Sequence, residues 1–225
     1  MPFPYALAIF DLDGTLVDSA EDIAEAVNRM REELGGSRVP VGTVLGWVGD
    51  GVGHLVETAL ADGGIEVPLA AAMPVFMRHY RDCLLRSPRL FTGVREALGV
   101  LHAQGVPMAI CTNKPGAMAG PLLDHFGIAG LFALVIGGDT LPVRKPSGEP
   151  LRHIAAHFGV DIGQALMVGD SGTDYAAARD AGMPVALVRY GYPRGLDFAR
   201  VEAVAVVDDL RRLPGLAGAP ADPVV

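Results

Sequence analysis

Five short apolar runs alternating with helical stretches constrain this chain more than any other feature. The runs are Ala6 to Phe10, Pro107 to Cys111, Leu134 to Ile136, Ala165 to Val168 and Pro184 to Val188. A strand with one wet face alternates polar and apolar residues, so continuous apolar runs of this length suit strands covered on both faces. Between them, Gly93 to Gln104, Pro115 to Phe126 and Ser147 to Phe158 have helical character. They end at Gly105, Gly127 and Gly159, residues suited to the left-handed turn that closes a helix. Alternation of strand and helix predicts an α/β fold with a doubly wound parallel sheet.

From about Asp18 to Ser87 the rhythm breaks. Helical patterns at Ser19 to Leu34, Val52 to Ala61 and Leu69 to Leu85 have no strand among them. Residues 18–87 therefore read as an inserted helical cap, leaving 1–17 and 88–213 for the core. Ser19 with Asp22 suggests an imperfect capping box at the entry, and Gly35-Gly36 and Gly63-Gly64 supply helix stops. Residues 214–225, rich in Pro, Gly and Ala, are expected to form a flexible tail.

Composition narrows the function classes. The 225 residues are half apolar, enough for one sizeable core and a smaller inserted unit. With 26 acidic against 18 basic residues the net charge of -8 argues against nucleic-acid binding, which needs clustered Lys and Arg. No apolar stretch approaches the roughly 18 residues of a membrane span. The opening residues lack a basic leader and meet Asp11 too early for a signal peptide, so they read as a strand. Cys83 and Cys111 fit reduced thiols better than a disulfide, and a cytoplasmic monomer or homodimer is expected.

Residues able to do chemistry gather at four places. Asp11-Leu12-Asp13-Gly14-Thr15 follows the first strand, where an open parallel sheet presents its ligand site. Strand alternation sends Asp11 and Asp13 the same way, so one can act as nucleophile while the other handles a proton. Thr112, Asn113 and nearby backbone amides are candidates for holding phosphate oxygens; alternatively Thr112 or Asn113 caps the next helix. Lys145, in the loop Arg144-Lys145-Pro146, is either a point charge for a phosphate or a solvated lysine. In Gly169-Asp170-Ser171-Gly172-Thr173-Asp174 two acids four residues apart follow a strand and make a plausible magnesium seat. Asp170 or Thr173 has the alternative of a helix cap.

Together, DLDGT at 11–15, Thr112 after a strand, Lys145 before a helix and GDSGTD at 169–174 resemble the four motifs of the haloacid dehalogenase superfamily, in order and across essentially the whole chain. The resemblance implies a Rossmann-like core with a C1-type helical cap, and a Mg2+-dependent enzyme acting on a small phosphorylated metabolite. It implies Asp11 as nucleophile and Asp13 as the acid that protonates the leaving oxygen and then activates water. Thr112 and Lys145 correspond to stabilisers of the phosphate, with Asn113 beside them in the substrate site. Asp170 corresponds to the direct metal ligand, completed by the Asp11 side chain and the Asp13 backbone carbonyl; Asp174 acts through water or as an orienting neighbour. Magnesium and Lys145 would offset the repulsion between a phosphate dianion and a carboxylate. Dehalogenases and phosphonoacetaldehyde hydrolases of the superfamily lack an aspartate at position 13, which favours phosphoryl transfer.

Trp47 to Gly53, Leu90 to Val94 and Gly137 to Pro142 are similar to bacterial phosphoglycolate phosphatases, making 2-phosphoglycolate the expected substrate. The cap glycines either let backbone amides approach a small carboxylate or form a plain connection between helices. Asp50 stands where that family usually has Asn, and Thr92 where it usually has Pro. A carboxylate at 50 facing the site would disfavour an anionic substrate. The alternatives are a phosphosugar such as N-acetylmuramic acid 6-phosphate, a mutase of the β-phosphoglucomutase kind and, from another class, a non-catalytic binding module. Trp47, His54 and Arg189 read as structural.

Overall fold

The computed structural model describes residues 2–216. In chain order it contains β1 (Leu7–Phe10), β2 (Val17–Asp18), α1 (Ala20–Glu33), α2 (Val41–Leu45), α3 (Val52–Asp62), α4 (Leu69–Cys83), β3 (Arg89–Leu90) and α5 (Val94–Ala103). There follow β4 (Met108–Cys111), α6 (Gly116–His125), β5 (Leu134–Ile136), α7 (Glu149–Phe158), β6 (Ala165–Gly169), α8 (Gly172–Ala181), β7 (Val185–Val188) and β8 (Ala205–Val207). All five expected strands form, and with β8 they make one sheet in the order β5-β4-β1-β6-β7-β8, every pair parallel.

The continuous apolar character of the strands has the expected cause, since both faces are covered. Ala8, Phe10, Met108, Ile110, Leu166, Val168, Ala186 and Val188 pack on one side with residues of α5 and α6. Leu7, Ile9, Ala109, Cys111, Ala165, Met167, Val185 and Leu187 pack on the other with residues of α7 and α8. The sheet is thus doubly wound, and its central strand β1 lies where the order of connection reverses between β4 and β6.

The four helices α1 to α4 form a separate cluster around Met30, Val56, Ala59, Ala72 and Phe76, capping the sheet as an inserted helical unit. Chain entry and exit are paired: β2 and β3 run antiparallel, with Val17 opposite Leu90 and Asp18 opposite Arg89. Among the described residues no helix is long and apolar enough to cross a membrane.

Two local expectations need correction. Ser19 and Asp22 make no capping box, because the Ser19 hydroxyl donates to Asp13 (2.6 Å) and Asp22 accepts from the backbone and hydroxyl of Ser87. The capping box lies instead at α8, where Ser171 and Asp174 satisfy each other's backbone N–H. Pro214, assigned to the tail, is buried with Leu213 in a 3-10 turn, Leu210–Gly215, that packs beside α5; residues 217–225 lie outside the described residues. Phe76 is fully buried and stacks near Tyr80, so Phe76→Ala should cost about 3–5 kcal/mol in a denaturant titration. A loss under about 1 kcal/mol would contradict a shared, close-packed helical core.

Candidate active site

Adjacent strands deliver the acids to one place. Asp11 follows β1, Thr112 follows β4 and Asp170 follows β6, with β1 between the other two. One oxygen each from Asp11, Asp170 and Asp174 lies within 4.8 Å of the others. Lys145, from the segment between β5 and α7, places Nζ 3.0 Å from Asp11 Oδ1 and 2.6 Å from Asp174 Oδ1. It is therefore no solvated surface lysine, being 2% exposed.

Each acid is held from behind. Thr15 Oγ1 donates to Asp170 Oδ1 (2.7 Å) and the Tyr192 backbone N–H to Oδ2 (2.7 Å). Asp174 Oδ2 accepts from the Ser171 hydroxyl and from the backbone N–H groups of Asp170 and Ser171. Close approach depends on missing side chains: a Cβ on Gly14 would meet Asp170 Oδ2 at 2.3 Å, and one on Gly191 would meet the Gly14 carbonyl at 2.2 Å. Gly14 also has a φ of 91°, which strains any residue with a side chain.

Burial and mutual repulsion dominate the electrostatics. Burial raises Asp11 to about 6, outweighing the opposing pull of the Lys145 charge, and Asp174 adds to the rise. Burial, then Asp174 and Asp11, likewise push Asp170 well above the ordinary carboxylate range. For Lys145 burial works against the charge, but Asp11 and Asp174 outweigh it and hold the ammonium firmly ionised. One ammonium thus faces three carboxylates. Asp11 Oδ1 is buried, and its nearest positive group is Lys145 Nζ at 3.0 Å, outside ideal hydrogen-bond geometry, with no other side-chain partner among the described residues. An all-oxygen, under-compensated site with an orphaned carboxylate oxygen fits a hard divalent cation.

Asp13 is near but not in this triad. Its carboxylate takes Lys114 Nζ at 3.0 and 3.1 Å and the Ser19 hydroxyl, so only its backbone carbonyl remains for a metal. Thr112 and Asn113 do not cap α6, which begins after Pro115 without a side-chain cap. The Asn113 side chain is engaged within the protein. Both its amide hydrogens go to backbone carbonyls, of Gly49 (2.7 Å) and Lys145 (2.8 Å), and Oδ1 is left without a partner. The backbone N–H groups of Asp13 and Asn113 have no acceptor among the described residues.

Asp50 does not present a bare charge. Arg194 pairs with it at 2.9 Å, the Thr173 hydroxyl donates to it, and Arg144 donates to its backbone carbonyl. His54 is half exposed and 3.9 Å from Asp50; Arg189 pairs with Asp208 and lies over Phe198; Trp47 packs on the helical core. The sequence reading missed Lys114, Tyr80, Tyr192 and Arg194. Their partners are 22 to 144 residues distant, and no local pattern signals them. A small cleft of about 50 Å³ opens between the sheet and the helices, lined by Asp11, Asp13 and Lys114 on one side and Ile23, Val48 and Leu55 on the other.

The haloacid dehalogenase-like hydrolase family matches residues 8–188. The chain belongs to that family. It is 45% identical to the plasmid-encoded phosphoglycolate phosphatase of Cupriavidus necator, over 95% of this chain and 93% of that one. Identity to the phosphoglycolate phosphatase of Pseudomonas syringae is 42%, covering 93% and 79%. A solved structure from Haemophilus somnus, described as a predicted phosphoglycolate phosphatase, superposes with a TM-score of 0.88 at 33% identity, over 93% of this chain and 96% of its own. This family member is an enzyme of the phosphoric monoester hydrolase class.

Two outcomes follow from the packing and the charges. Gly191→Ala should displace Asp170 and weaken the binding of any divalent cation that the triad holds about tenfold to a hundredfold by calorimetry. Gly163→Ala, with open space around it, should leave binding unchanged. In cation-free protein, Asp11 binds its proton near pH 6 when folded and near 3.8 when unfolded, so the native state loses stability as pH rises through that window. Asp11→Asn should therefore raise the melting temperature at pH 7, with the gain vanishing below about pH 4.

Proposed function

We propose that the protein is a magnesium-dependent phosphatase that hydrolyses 2-phosphoglycolate through an aspartyl-phosphate on Asp11. The observation that carries this is the convergence of Asp11, Asp170, Asp174 and Lys145 from the segments that follow β1, β6 and β5. In this reading Asp11, Asp170 and the Asp13 backbone carbonyl hold Mg2+, Asp174 orients the site, and residues 18–87 act as a cap. The bound ion supplies positive charge against the repulsion between a phosphate dianion and a carboxylate.

The chain's own groups do the rest. Lys145, fixed between two acids, adds a second positive charge. The Thr112 hydroxyl and the free backbone N–H groups of Asp13 and Asn113 donate to phosphate oxygens. Asp11 attacks phosphorus as the ester P–O bond breaks, and Asp13 gives a proton to the departing oxygen. Water then attacks the same phosphorus, Asp13 takes its proton, and the bond to Asp11 breaks to release inorganic phosphate. Lys114 and Ser19 hold the Asp13 carboxylate in place for both transfers.

The substrate reading draws support from the names of the relatives and from Arg194, which offsets the Asp50 charge. A phosphate-release assay with 2-phosphoglycolate and a panel of sugar phosphates tests it. Activity should vanish with a chelator and return with magnesium. Asp11→Asn should lower turnover more than about 1,000-fold without lowering the melting temperature. Isomerised hexose phosphate in place of free phosphate would move the protein to the mutases.

A further inference from the structure

Lys114 and Tyr80 are the polar pair of the cleft that the reaction outlined above leaves partly unused. The Lys114 side chain is wholly buried, yet it lines the cleft and, among the described residues, is the only cation to do so. Its ammonium faces both Asp13 oxygens and donates to the hydroxyl of Tyr80, which comes from α4; the Tyr80 ring centroid lies 4.8 Å from Nζ. Tyr80 is 2% exposed, and its hydroxyl accepts from Lys114 while its own hydrogen has no acceptor among the described residues. A buried phenol with an idle donor beside a buried ammonium is a pair of groups that an anion would complete.

The charge count gives the same answer. The titratable wall of the cleft holds Asp11, Asp13 and Lys114, while Lys145 is engaged behind it with Asp11 and Asp174. In the proposed reaction Lys145 and a bound cation would offset the charge of the phosphate. A second negative group on the substrate would face Asp13 unopposed unless it reached Lys114, and an unpaired buried carboxylate is costly. The remaining wall, with Ile23, Val48, Val52 and Leu55, offers it no charge. An ammonium is a point charge that can serve a second carboxylate alongside Asp13, and the phenol supplies a directed donor.

We propose that Lys114 and Tyr80 seat a carboxylate carried by the substrate close to its ester oxygen, making Lys114 a specificity-determining residue. This rests on the phosphatase reading above and deepens it. The seat joins a core loop to a cap helix, so it exists only while the two are packed as they are here.

Two esters that differ only in the carboxylate, 2-phosphoglycolate and ethyl phosphate, test this seat. Lys114→Met should raise KM for 2-phosphoglycolate about tenfold to a hundredfold. Turnover should fall on both esters alike, because Lys114 also holds Asp13, so the seat is read from KM, which should rise at least about threefold more for 2-phosphoglycolate than for ethyl phosphate. Tyr80→Phe, which keeps the ring, should show the same selectivity with a smaller effect, and it decides the matter if Lys114→Met fails to fold. Equal rises in KM on both esters would mean that Lys114 serves Asp13 alone, which overturns the proposal. Calorimetry on magnesium-loaded Asp11→Asn protein, with and without Lys114→Met, separates the seat from the chemistry. Equal affinity for the two esters in the Lys114 form overturns the seat. Lys114-dependent selectivity in a protein whose wild type releases no phosphate upholds the seat and overturns the phosphatase reading.

Discussion

Three carboxylates crowded into a buried space less than 5 Å across are the constraint on which the molecule is built. Such charge is tolerated only when something answers it, and the fold supplies answers from every side. The parallel sheet brings the strand ends together, Lys145 adds the one ammonium, and the start of α8 turns its backbone N–H groups on Asp174. Thr15 and Tyr192 do the same for Asp170. Glycines at 14, 169 and 191 stand where any side chain would collide with an acid or with the turn that carries it. The balance still falls short, as the raised proton affinity of Asp11 and Asp170 records, and the shortfall is what makes the site receptive to a cation.

Much of this was legible in the sequence because it rests on local pattern. Runs such as Ala6 to Phe10 and Ala165 to Val168 declare doubly covered strands by their unbroken apolar character, and each ends within a residue of an acid. Strand β8 was missed because Ala205–Val207 is a short, half-exposed edge strand, and α2 because five residues carry too little periodicity. The capping box was expected at Ser19, where the spacing nearly fits, but long-range partners claimed both side chains. The Asn113 amide was likewise claimed by two carbonyls that only the fold brings near. Lys114, beside two residues that were singled out, owes its place to Asp13 and to a tyrosine on another helix, and spacing along the chain says nothing of either.

The cap loop shows how one departure from family pattern is absorbed. Asp50 would be an unwelcome charge near an anion-binding site, but Arg194 and Thr173 take it up and Arg144 grips its backbone. Asn113 holds the neighbouring Gly49. The extra charge has become a fastening between layers. Among the described residues, Lys114 is then the sole cation on the cleft wall.

The short ribbon of β2 and β3 has an effect of its own. Because the chain leaves the sheet at Asp18 and returns at Arg89, directly opposite, everything between is spliced in at a single seam. Lengthening or exchanging such an insert changes neither the span its ends must bridge nor the connectivity of the host strands. The catalytic half can keep its geometry through generations of remodelling above it, and new chemistries of recognition can be grafted there without rebuilding the part that breaks the bond.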